Sequence, residues 1–171
     1  MYNKLSELNL IEINRNNVSM LNEGVFISVI HADKIPPHIG LVTNGKFYSL
    51  KTNGKDNGIE LVSLLKILES KNIATLFYLI NSTNIDFKGK VEKIFNEFDQ
   101  IPTDGTCLRP INQLLSPNED FDTIRPLLDK LANENRIEKC YGLNLPEHFD
   151  GIKSYTIDDI KKRINQLRNV E

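Results

Sequence analysis

Two residues with side chains suited to covalent catalysis, a cysteine and a histidine, occur where the chain would hold them rigidly. Cys107 follows the glycine-containing segment 101–105 and precedes residues 108–110, where a proline tolerated only in a first turn predicts a helix beginning near Cys107 or Leu108. Exposed N–H groups and the dipole at a helix start favour a thiolate. Cys107 is therefore a candidate nucleophile, and the alternative is a small buried hydrophobic residue.

His38 is the candidate general base. It directly follows Pro36-Pro37 and begins an apolar segment, so its imidazole would project from the start of a strand. A general base must be held within hydrogen-bonding reach of its nucleophile, and a strand provides that rigidity. His31, at the end of the preceding apolar run, could serve instead. The alternative for His38 is a histidine that caps a strand or is hydrogen-bonded in the core.

A catalytic histidine usually needs a third group to orient its second nitrogen. Ser49 is the nearest polar residue on the His38 face in the register derived below, and Asp33 is the nearest carboxylate in sequence. Tyr48, Thr106 and Asp33 are candidate substrate contacts. The register places Tyr48 on the opposite face, where core packing is the alternative interpretation.

A predicted β-hairpin positions the histidine. Residues 38–43 and 46–51 flank Asn44-Gly45, a strong hairpin signal because both residues tolerate positive φ. With Thr43 opposite Lys46, the two-residue period of a strand puts His38 and Ser49 on one face. Apolar side chains fall on both faces of the hairpin, so the sheet is expected to be covered on both sides.

The other elements follow from the spacing of apolar residues and from turn signals. Residues 24–31 and 74–80 predict strands, with weaker strands at 9–14 and 138–145. Residues 53–58 contain two further Asn-Gly pairs and predict a turn region. Apolar stripes predict helices over 59–69, 88–98 and 121–135, the last kinked or delayed by a proline. Thr156 and Asp159 resemble a capping box that opens a terminal helix.

Composition limits the class of protein. The chain has 171 residues, of which 40% are hydrophobic and 26% are charged, as is usual for one globular domain, here residues 1–171. The 21 basic and 23 acidic residues nearly cancel, which argues against nucleic acid or an anionic membrane surface as a partner.

The cysteine count and the apolar runs predict a location. The start lacks an apolar secretory segment, and no run is long enough to span a bilayer, so a cytoplasmic protein is expected. Cys107 and Cys140 are then expected to be free thiols. Two cysteines and three histidines without CxxC or HxxxH spacing indicate no metal site.

The order of these features resembles the circularly permuted branch of the NlpC/P60 papain-like superfamily. A Pro-Pro-His hairpin, an amphipathic helix and Gly-Thr-Cys opening a helix occur in that order over residues 24–115. The resemblance implies a single-domain α+β papain-like fold, with an antiparallel sheet packed by helices on its faces. It also implies Cys107 as nucleophile, His38 as base and Ser49 at the third polar position. Two departures are residues 108–110, which replace the family's frequent motif after the cysteine, and the serine, which is an unusual orienting group.

The resemblance predicts a thiol hydrolase or acyltransferase that needs no cofactor and acts on an amide, ester or thioester bond. The expected substrate is a small peptide, an amide or a lipid. The alternative is a catalytically inactive relative that serves as a binding or protein-interaction module. Such a module would use the hairpin and the turns at residues 53–57 to contact a protein partner.

Overall fold

The computed structural model of the chain describes residues 4–81, 87 and 89–169. These residues form a mixed α+β fold with one seven-stranded sheet and five α-helices. The strands are β1 (Leu10–Glu12), β2 (Val25–Ile30), β3 (His38–Thr43), β4 (Lys46–Lys51), β5 (Gly54–Glu60), β6 (Thr75–Ile80) and β7 (Ile137–Leu143). The helices are α1 (Leu61–Ser70), α2 (Lys90–Asn96), α3 (Arg109–Leu115), α4 (Ile124–Asn133) and α5 (Ile157–Arg168).

The sheet is mostly antiparallel, as predicted. Its strand order is β1-β7-β6-β2-β3-β4-β5. The pair β1 and β7 is parallel, and the other neighbouring pairs are antiparallel. None of the helices that the structure describes is both long enough and apolar enough to cross a lipid bilayer.

The central hairpin has the predicted turn and register. Asn44 and Gly45 adopt φ values of 52° and 68°, and Thr43 lies opposite Lys46. Strand β3 pairs with β2 over its whole length, whereas its pairing with β4 covers only three residue pairs, as far as Leu41 with Tyr48. Strand β4 continues in register with β5 beyond that point. Strands β3 and β4 therefore separate beyond Leu41 and Tyr48. This end of the hairpin, away from the turn, is here called the open end.

Both faces of the sheet are covered, which confirms the expectation from sequence. Ile39 and Leu41 project into a core cluster formed with α2, α3 and α4. Val42 and Phe47 project to the other side, into a cluster formed with α1. Burying each of these large apolar side chains contributes about 1.5–3 kcal/mol, so the hairpin is held from both sides.

The predicted turn region at residues 53–58 is wrong for residues 54–58, which lie in β5, and the turn itself is confined to Thr52 and Asn53. This strand pairs with β4 from Lys46–Glu60 to Lys51–Gly54, and α1 begins only at Leu61, whose N–H donates to the Gly45 carbonyl at 2.9 Å. Strand β5 is an edge strand whose residues are half-buried or exposed, so no alternation of buried apolar residues marked it. Backbone pairing, rather than burial, selects its conformation.

Two predicted features at helix starts are found. Helix α4 begins three residues later than predicted, with Pro126 in its first turn, where a missing N–H costs no hydrogen bond. The capping box at α5 is present: Thr156 Oγ1 accepts from the Asp159 N–H at 3.3 Å, and Asp159 Oδ2 accepts from the Thr156 N–H at 2.8 Å. This cap fixes the start of a helix that forms one wall of the site described next.

Candidate functional site

A cleft of about 700 Å³ lies at the open end of the hairpin. His38, at the start of β3, and Cys107, before α3, both line it. One wall is formed by α5, through side chains that include Ile160 and Ile164. The structure therefore brings the predicted nucleophile and the predicted base to one cavity, although they are far apart in sequence.

The segment that carries Cys107 is held against both strands of the hairpin. At its start, the Ile101 N–H donates to the Lys51 carbonyl at 2.9 Å, at the end of β4. At its end, the Cys107 thiol lies within hydrogen-bonding reach of the Ile39 N–H on β3. Since Ile39 directly follows His38, the thiol lies beside the backbone that carries the histidine.

The backbone turns at Cys107 before α3 begins. Thr106 Oγ1 accepts from the Leu108 N–H at 3.1 Å, and the Thr106 carbonyl accepts from the Arg109 N–H at 3.2 Å. Helix α3 therefore begins at Arg109, slightly later than predicted. Thr106 lines the cleft as expected of a substrate contact, but its hydroxyl is buried and is engaged in shaping this turn.

A chain of hydrogen bonds extends from the histidine to the edge of the sheet. His38 Nε2 lies 3.0 Å from Ser49 Oγ. Ser49 is fully buried, and its hydroxyl donates to Asp56 Oδ2 at 3.0 Å. The other carboxylate oxygen of Asp56 accepts from Lys51 Nζ at 2.9 Å. Strands β3, β4 and β5 thus each contribute one member of a His38–Ser49–Asp56 relay.

The direction of this relay assigns the histidine tautomer. An ionised carboxylate only accepts hydrogen bonds, so the single Ser49 hydroxyl proton goes to Asp56. Ser49 Oγ must then accept from His38, which places the imidazole proton on Nε2. The Nδ1 atom of His38 is left with a free electron pair and can accept a proton.

Burial holds both candidate groups in their neutral forms. It lowers the pKa of His38 to about 4; the Asp56 carboxylate acts in the opposite direction, and His31 and Lys51 lower the pKa further. Burial raises the pKa of the Cys107 thiol, against the smaller lowering by the N–H groups of Ile39 and of Cys107 itself. Burial therefore opposes the thiolate that a helix start is expected to favour, because desolvation outweighs the N–H groups.

Of the other residues predicted for the site, Tyr48 and Asp33 lie outside the cleft and His31 lines it. Tyr48 is buried on the opposite face, where its ring centroid lies 5.6 Å from that of Phe95, and Asp33 is exposed in the turn after β2. Neither is among the described residues that line the cleft. His31, the alternative base, does line it.

Sequence reasoning missed Asp56, which completes the relay. One signal could have located it: a second hairpin turn just before Gly54 pairs Lys51 with Gly54 and puts Asp56 opposite Ser49, as the structure shows. The absence of apolar residues in this strand hid the pairing. Register alone would have been enough to find it.

The second cysteine has different surroundings. Cys140 is buried in β7, and burial raises its pKa to about 12, with a hydrogen bond to Tyr78 lowering it less. Cys107, by contrast, is partly exposed in the cleft. Cys140 is therefore an internal reference thiol for experiments on Cys107.

Comparison of the chain with protein-family models, with curated proteins and with solved structures finds no match. Among the described residues, no group of three or more His, Cys, Asp or Glu side chains is placed to hold a metal ion. The chemistry of the cleft therefore carries the functional inference.

Proposed function

We propose that the protein is a cysteine-dependent hydrolase or acyltransferase of the permuted NlpC/P60 papain-like type, acting on an amide, ester or thioester bond. Cys107 is the nucleophile and His38 the general base. The observation that supports this proposal best is the His38–Ser49–Asp56 relay, which leaves Nδ1 of His38 unprotonated on a residue that lines the same cleft as Cys107. A small peptide, an amide or a lipid remains the proposed range of substrates.

In the first step, the Cys107 sulfur attacks the substrate carbonyl carbon. The thiol proton passes to Nδ1 of His38 as the new S–C bond forms. His38 then donates this proton to the leaving nitrogen, oxygen or sulfur as its bond to the carbonyl carbon breaks. The products are an acyl-Cys107 thioester and a protonated leaving group.

In the second step, water or another acceptor attacks the thioester. His38 removes a proton from the acceptor and returns it to the Cys107 sulfur as the S–C bond breaks. Water gives a carboxylic acid, and an alcohol or amine gives acyl transfer. The N–H groups of Ile39 and Cys107, which lie at the sulfur, stabilise negative charge that develops there.

Asp56 and Ser49 act as positioning residues in this mechanism. By accepting the Nε2 proton, Ser49 fixes the ring orientation and the tautomer of His38. The Asp56 carboxylate, through Ser49, favours the positive charge that His38 acquires after the first proton transfer. This arrangement suits a base that is neutral at rest and charged only during the reaction.

A binding module without catalysis is the second candidate function. The raised pKa of Cys107 and the lowered pKa of His38 favour it, because a neutral thiol beside a neutral imidazole is a weak nucleophile. In that case the cleft binds a ligand and no acyl-enzyme forms.

Trapping the acyl-enzyme distinguishes the two functions. The protein is mixed with p-nitrophenyl acetate at pH 7.5, quenched in acid and digested, and acetylation is located by mass spectrometry. The catalytic proposal predicts acetyl groups on Cys107 far in excess of Cys140, together with a burst of p-nitrophenolate. His38→Asn should slow the burst by about 100-fold, the lower part of the range for general-base catalysis.

Matched controls separate catalysis from chance reactivity. Cys107→Ser removes the burst, and Cys140→Ser leaves it unchanged because Cys140 lies outside the cleft. An unchanged burst in His38→Asn, or equal and slow labelling of the two cysteines, contradicts the catalytic proposal and favours the binding module.

A further inference from the structure

The cleft combines apolar walls with a cationic edge. On α5, Ile160, Ile164 and Leu167 follow one another at helical spacing and all line the cleft. Ile35 also lines the cleft and is 47% exposed, and Leu167 is 37% exposed. Large apolar side chains from two separate segments, left open to water in one cavity, indicate a ligand with an apolar part.

Two cations at the same cleft are available to a ligand. Lys34 and Arg163 line the cleft, and neither takes part in an ion pair among the residues that the structure describes. Burial lowers the pKa of His31 most, and both cations lower it further, so both lie within electrostatic reach of the same ring. Lys51, a third lining cation, is already bound to Asp56.

The cleft has fewer negatively charged than positively charged lining residues. Asp122 is the one carboxylate among the described residues that line the cleft. Asp33 also acts on His31, in the direction opposite to the two cations, but it lies outside the cleft. Among the described residues that line the cleft, three cations, Lys34, Lys51 and Arg163, therefore stand against one carboxylate.

We propose that the cleft binds an acyl compound in which an apolar chain is joined to a carboxylate-bearing leaving group. The chain lies along Ile160, Ile164 and Leu167, and the carboxylate lies between Lys34 and Arg163. Arg163 is then a specificity-determining residue, since its planar guanidinium binds a carboxylate through two hydrogen bonds. This inference deepens the proposed function by naming its substrate class, and it rests on that function for turnover but not for binding.

The test uses a pair of ligands that differ only in charge. N-dodecanoylglycine carries the carboxylate, and N-dodecanoylglycinamide is its neutral counterpart. Each is titrated by isothermal titration calorimetry, below its micelle concentration, into the full chain carrying Cys107→Ser so that no reaction occurs. The acid should bind about tenfold more tightly than the amide, as expected for one charge-assisted contact.

Two substitutions on α5 make the result specific. Arg163→Gln should remove the preference for the acid and leave binding of the amide unchanged. Lys162→Gln, a matched loss of one positive charge at an exposed position that does not line the cleft, should preserve the preference. Equal binding of acid and amide, no binding of either, or the same loss in both variants overturns the substrate class.

These outcomes are independent of the acyl-enzyme experiment. Acetylation of Cys107 without a preference for the acid would leave the proposed function standing and overturn the substrate class. A preference for the acid without acetylation would support the ligand class and overturn the catalytic function.

Discussion

The two ends of the β3–β4 hairpin are built differently. At the turn, the strands are in register and apolar side chains such as Val42 and Phe47 pack beneath α1. At the open end, the strands separate and a hydrogen bond between His38 and Ser49 bridges them. Stability at the first end comes from apolar packing and backbone pairing. At the second end, polar side chains and a cleft replace part of that pairing.

Gly40 marks the boundary between the two ends. A Cβ atom at this position would lie 2.4 Å from the Phe47 ring and 2.9 Å from the Tyr48 carbonyl oxygen. The ring therefore covers the strand next to His38, on the same face. The packed end thus supports the strand that carries His38. We expect substitutions at the packed end to lower mainly the free energy of unfolding, and substitutions at the open end to change mainly the reactivity of the cleft.

The largest loss of stability is expected from Phe47→Ala at the packed end. Phe47 is fully buried, and removal of its ring leaves a cavity, so the free energy of unfolding should fall by about 3–5 kcal/mol. Urea unfolding at pH 7 measures this loss. Phe47→Leu, which keeps part of the volume, should lose less. A loss below about 1 kcal/mol would mean that packing does not hold this end.

Acid should weaken the open end through His38. Its pKa is about 4 in the folded protein and 6.5 in the reference state, so between these values the unfolded chain binds the additional proton. Stability is therefore lost as the pH falls through this window, by about 3 kcal/mol for this group. Unfolding curves at pH 7 and pH 4 measure the loss, and His38→Gln should reduce it. An identical loss in that variant would contradict the role of His38.

Substitution in the Asn44-Gly45 turn should lower the free energy of unfolding by less than the two changes above. Gly45 has φ of 68°, and a Cβ atom there would lie 3.0 Å from Asn22 Oδ1. Gly45→Ala should therefore cost about 1–2 kcal/mol, measured by thermal or urea unfolding. Gly45→Asn should recover part of this loss, because asparagine adopts positive φ more readily. No difference between the two variants would show that backbone conformation is not the cause.

Ser49→Ala should have the smallest effect on stability and a clear effect on acylation. Loss of its two hydrogen bonds should cost about 1 kcal/mol, whereas loss of the tautomer control should slow the p-nitrophenolate burst by about tenfold or more. Ser28→Ala is the matched control, since Ser28 is equally buried and its hydroxyl has no partner among the described residues. Equal bursts in the two variants would remove the relay from the mechanism.

Much of the fold could be predicted because its signals are local. The bounds of β3 and β4 match the prediction, since the Asn44-Gly45 turn and the apolar runs lie within a few residues of each other. Strand β5 could not be recognised from periodicity, because an edge strand of half-buried and exposed residues has no fully buried face. Because this strand was not predicted, Asp56, the last member of the relay, was not identified either.

The candidate site divides in the same way. The sequence alone determined that His38 and Ser49 share a face, because a two-residue turn sets the register of the hairpin and side chains alternate between faces along each strand. Only the tertiary structure decided that Cys107 lies beside Ile39, that Asp56 completes the relay and that α5 closes one wall. It also decided the sign of the Cys107 pKa shift. Register is a property of neighbouring residues, whereas desolvation depends on which distant segments pack around a group.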